Sequence, residues 1–142
     1  MNEIIAYCGL DCAKCEAYLA SQKNDRAELE RVAQKWSEGN THTHPKLTAE
    51  DVTCDGCFGK RLSKYARDNC AIRACGIDKK VKNCAYCDEY KCEKIAKFLE
   101  NVPKAAENLD TIRKSWVQLA NVSWIPTDQT LHSYVVRLPR LI

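Results

Sequence analysis

The chain has little of what marks several large protein classes. No apolar run approaches the ~20 residues that span a bilayer. The opening Met-Asn-Glu-Ile-Ile-Ala-Tyr-Cys shows neither the basic start nor the long apolar stretch of a secretory leader. The expectation is a cytoplasmic chain with no membrane span. Glycine is scarce, five in 142 residues, and proline scarcer at four. No glycine-rich phosphate loop, HExxH motif or nucleophile elbow occurs, so no catalytic residue is assigned and the reading leans away from an enzyme. Charge of one sign is also lacking. Twenty-two basic residues against 19 acidic ones leave +3, too little to indicate a nucleic-acid partner. The densest basic stretch, Lys79, Lys80, Lys82, Lys91, Lys94 and Lys97, could touch a phosphate backbone but reads first as a solvated helix face. No low-complexity segment and no internal repeat are visible.

What the chain does have is cysteine, ten in all. They fall at Cys8, Cys12 and Cys15, at Cys54 and Cys57, at Cys70 and Cys75, and at Cys84, Cys87 and Cys92. In a reducing compartment such clusters are metal ligands or redox groups more often than disulfides. Two cysteines separated by two residues can turn both sulfurs toward one ion, and two such pairs complete a tetrahedral thiolate site. Cys12/Cys15, Cys54/Cys57 and Cys84/Cys87 all have that spacing. Ten ligands suit two zinc ions with four thiolates each and two cysteines left over. The preferred partition puts Cys12, Cys15, Cys54 and Cys57 on one ion and draws the other site from Cys70, Cys75, Cys84, Cys87 and Cys92; interleaved pairings are equally allowed. The two extra thiols could be supporting groups, a reactive pair, or part of a binuclear site with bridging thiolates. His42 and His44 are further candidate ligands, and His132 reads as a surface residue.

An iron–sulfur cluster is the alternative cofactor, since four-cysteine ligation is common to both metals. Cys8-x3-Cys12-x2-Cys15 has the spacing of radical S-adenosylmethionine enzymes, but those resemble partial barrels, which at full size run to ~250 residues. A thiol–disulfide centre would be expected at a strand-to-helix junction of a βαβ unit, which is absent.

The fold class expected is mainly α: a small, cysteine-rich, metal-stabilised helical domain with irregular zinc-knuckle segments and little or no β. Residues 1–121 form that domain and 122–142 a C-terminal tail. Asp25 to Glu28 resembles a capping box, followed by Leu29, Val32, Ala33 and Trp36 at helical spacing as far as Gly39. Thr48 to Asp51 is a second cap, and Ser63 to Cys75 reads as helical turns broken by Gly76. Asp88 could cap a helix bearing Ile95, Phe98, Leu99 and Val102. Pro103 opens another with Ala106, Leu109, Ile112, Trp116 and Leu119. These two helices should pack together, with Trp36, Phe98 and Trp116 as packing residues. Tyr134, Val136 and Leu138 alternate like a strand that could pair with Ile4 to Tyr7.

The strings CGLDCAKCEAYLA from Cys8, CDGC from Cys54, CAIRAC from Cys70 and NCAYCDEYKCEKI ending at Ile95 together resemble domain of unknown function 3795, over roughly residues 4 to 115. The resemblance implies a small, cysteine-rich, zinc-binding prokaryotic protein without an assigned activity, all ten cysteines being shared positions. Two positions depart from the family's pattern: Arg67 stands where many relatives carry a further cysteine, and Lys91 where they carry proline. The reading is a zinc-stabilised binding or scaffold module, with an unassigned protein as the candidate partner.

Overall fold

The computed structural model describes residues 3–38 and 46–122. Among them are seven α-helices and no sheet: α1 (Glu16–Lys23), α2 (Arg26–Glu38), α3 (Ala49–Val52), α4 (Lys64–Asp68), α5 (Ala71–Asp78), α6 (Glu93–Asn101) and α7 (Pro103–Val122). The extended pairing is a single antiparallel bridge between Ile5 and Asp11. The expected helical class holds. None of the helices is long and apolar enough to cross a membrane. The tail and its possible strand lie outside the described residues.

The apolar residues make two small cores rather than one. Ala17, Ala20, Leu29, Val32, Ala33, Ala49 and Val52 join α1, α2 and α3, with Trp36 packed at the edge. Ala85, Ile95, Leu99, Ala105 and Leu109 join α6, α7 and the segment ahead of α6. Alanines on facing helices let the backbones approach closely but remove little apolar surface from water. The largest fully buried side chains are Ile95, Leu109, Val32, Val52 and Ser21, with no aromatic among them. Trp36 and Phe98 are packed as expected but only half-buried. Trp116 meets Tyr86 edge-on at the surface, centroids 5.9 Å apart, and Leu119 is 73% exposed.

Helix boundaries follow local chemistry, with five departures from the sequence reading. Asp25 accepts from the Glu28 amide at 3.1 Å, but the Glu28 carboxylate turns to Arg31 at 2.6 Å instead of closing the capping box. Thr48 and Asp51 do form both arms of a box at α3. The α1 helix, unforeseen, starts directly after Cys15. Cys70 is the N-cap of α5 rather than a helical residue. Gly76 does not break that helix but lies inside it, because a side chain there would collide with the Tyr7 ring. Finally, α6 begins after Cys92 and not after Asp88.

Candidate metal centre

All ten cysteines are free thiols; Cys8 is buried and the other nine are half-buried. Two of the CxxC turns are built alike. Asp11 and Asn83 each cap a short 3-10 turn, accepting from the amides of Ala13 at 3.1 Å and Ala85 at 3.0 Å. In each turn the second cysteine's amide returns to the first one's carbonyl, Cys15 to Cys12 at 3.0 Å and Cys87 to Cys84 at 3.2 Å. The pentapeptides Asp-Cys-Ala-Lys-Cys and Asn-Cys-Ala-Tyr-Cys are thus a short structural repeat, too brief to register as one in the sequence. The Cys54 turn is different. Gly56 takes φ +82°, a conformation that costs glycine little, and its amide donates to Cys54 Sγ at 3.3 Å.

The turns are held from outside by groups that sequence patterns do not single out. Buried Ser21 donates to Ala17 O at 2.7 Å and accepts from the Cys54 amide at 2.9 Å. Asp55 receives the Arg61 guanidinium, Nη2 at 2.7 Å, which holds its carboxyl down at about 2. Arg73 Nε donates to Cys57 O at 3.1 Å, while its amide donates to Cys70 Sγ at 3.4 Å. Arg113 on α7 reaches the carbonyls of Ala85 and Cys87. Tyr90 donates to Asp110 at 2.6 Å. Lys91 adopts φ +64°, which the proline ring forbids, and its ammonium pairs with Asp110 at 3.1 Å.

The ten thiols divide between two cavities. Cys75, Cys84, Cys87 and Cys92 line a small one of about 20 Å³. Cys8, Cys12, Cys15, Cys54, Cys57 and Cys70 line a half-open one of about 1000 Å³. Cys70 therefore lies with the N-terminal thiols and not with the quartet from which the second site was expected to be drawn. Burial first, and the like charges of neighbouring thiolates after it, push Cys8, Cys12 and Cys57 up to about 11 and Cys84 up to about 12. These four thiols stay protonated at neutral pH, so a cation is what would ionise them. Among the described residues no three cysteine, histidine or acidic side chains stand close enough to share an ion. The donor set itself, soft thiols with amides aimed at their sulfurs, fits zinc or an iron–sulfur cluster. His42, His44 and His132 lie outside the described residues.

The family model described as Protein of unknown function (DUF3795) matches residues 4–97, a span that contains every cysteine. No curated protein and no solved structure matches the chain.

Proposed function

The chain belongs to the DUF3795 family, and from that premise we propose that it is a structural zinc-binding module. Its thiols take the place of the large core its helices lack. The observation that carries this reading is that Cys75, Cys84, Cys87 and Cys92 all line one small, partly open cavity of about 20 Å³. That space is of ion size rather than substrate size. Four thiolates around one Zn²⁺ carry a net charge of −2. Lys94 Nζ lies 3.6 Å from Cys75 Sγ, and Lys79 and Lys91 line the same cavity. Lys94, one of the lysines that read as a solvated helix face, is thus placed to offset part of that charge, while Lys79 and Lys91 pair with Glu89 and Asp110. A four-thiolate ion has no open position for water or substrate, which makes the metal structural rather than catalytic. Ten free thiols suit the reducing prokaryotic cytoplasm. Leu10, Phe58 and Tyr65, at 44%, 55% and 64% exposed, suit a scaffold that meets a protein partner.

Metal analysis of the chain purified without oxygen tests the reading. Zinc is expected, with loss of one equivalent in Cys84→Ala. A brown protein carrying iron and acid-labile sulfide would overturn zinc in favour of the iron–sulfur alternative.

A further inference from the structure

Eight thiols would fill two four-thiolate sites, so two of the ten are in excess. The excess is confined to one place: four cysteines line the small cavity and six the large one. We propose that the six-cysteine cavity holds a binuclear zinc centre in which Cys12 and Cys57 bridge the two ions. Cys15 and Cys54 are terminal ligands on one ion, and Cys8 and Cys70 on the other. This rests on the thiolate-zinc reading above and extends it.

The ligand count closes. Two tetrahedral ions present eight coordination positions, and six thiolates fill eight positions when two of them are shared. The charge closes as well. Two Zn²⁺ with six thiolates carry −2, the same as one Zn²⁺ with four. A single ion on any four of the six would leave two thiols idle.

The bridging pair follows from how the segments meet. The turn between Cys54 and Cys57 packs on Cys12, with Cys12 Sγ 3.6 Å from where a Gly56 side chain would begin. On the other side Arg73 links the Cys70 sulfur to the Cys57 carbonyl, at 3.4 and 3.1 Å. Cys8 and Cys12 come together because the bridge at Ile5 and Asp11 folds their segment back on itself, with the Ala6 amide on Leu10 O at 2.8 Å. Cys12 thus lies between the Cys54 turn and the Cys8 segment, and Cys57 between that turn and Cys70, which is the position a bridging ligand must hold. The Cys84 amide donates to Tyr7 O at 3.0 Å, so the segment of Cys8 lies on the side toward the small cavity.

The test is the zinc content of the full chain, saturated with zinc under anaerobic reducing conditions and freed of excess metal. Three ions per chain are expected: two here and one in the quartet. The double variant Cys8→Ala/Cys70→Ala should hold two, losing one third of the metal. Cobalt substitution of the unaltered chain gives a second readout that needs no variant. Two of its three Co²⁺ ions should be magnetically coupled through the bridging sulfurs, reducing the electron paramagnetic resonance signal to about that of the quartet ion. Two zinc ions in the unaltered chain, or magnetically isolated cobalt throughout, would overturn the binuclear centre and leave the quartet reading intact. A chain that takes up no zinc would overturn both.

Discussion

Arg113 Nη1 donates to the carbonyl of Cys87 at 2.8 Å. The same nitrogen reaches Ala85 O at 2.9 Å, and the guanidinium lies over the Trp116 and Tyr90 rings. A residue on α7 thereby fixes the turn that presents Cys84 and Cys87. Arg113→Ala removes two charge-assisted hydrogen bonds from half-buried carbonyls, a loss of about 2 kcal/mol. Chemical denaturation should show that loss, and a colorimetric chelator should draw metal from the variant faster than from the parent chain.

Gly76 is tied to Tyr7 by sheer lack of room. An added Cβ would collide with the Tyr7 ring, and Tyr7 itself packs at a tilt against Phe58, ring centroids 4.8 Å apart. Gly76→Ala improves helix propensity by nearly 1 kcal/mol but must displace the ring, so a net destabilisation on the order of 1–3 kcal/mol is expected. A variant as stable as the parent in urea would show that the ring moves freely.

Asp55 gives the chain a specific acid response. Its carboxyl is held at about 2 against an ordinary 3.8 by Arg61, with Gln22 assisting. A carboxylate with a lowered pKa stabilises the fold above its unfolded value, and that contribution fades as pH falls from 3.8 toward 2. Asp55→Asn should be less stable than the parent at pH 6, and the gap should close as the two are compared down to pH 2. A gap that stays constant with pH would mean that the loop is held by something other than this ion pair.

Chelation of the metal under reducing conditions should lower helicity, because the binding free energy of a thiolate site is folding free energy. The two alanine-rich cores are too small to be expected to hold the helices unaided. Far-UV circular dichroism before and after chelator is the measurement. An apo-protein that keeps its helicity and melts cooperatively at an unchanged temperature would show that the cores suffice.

Much of the helical fold was legible in the sequence. Leu29, Val32 and Ala33 announced α2 by period, and Pro103 announced the start of α7. What escaped was governed by contacts distant along the chain. Gly76 reads as a helix breaker until Tyr7 is seen filling the space beside it. Asp88 reads as a cap, yet Tyr90 and Lys91 are drawn to Asp110 and the helix starts only after Cys92. The cysteines were legible as candidate ligands by spacing alone, but which of them line a common cavity was not. Loop closure costs too little per residue to favour one pairing, so it took the position of Cys70, fixed through Arg73, to show which side it joins. Ser21, Arg73 and Arg113 carried no signal, since an ordinary serine or arginine on a helix looks the same whether or not it supports a turn.

Gly9 lies so close to α7 that an added Cβ would stand 2.4 Å from Ala105 O, and Asn108 donates to its carbonyl across 99 positions of sequence. Cys8, beside it, is synthesised well before α7. Contacts at such separations close late in folding. During synthesis the N-terminal cysteines therefore wait in the open, where oxidant and metal compete for them before the protein can shelter them.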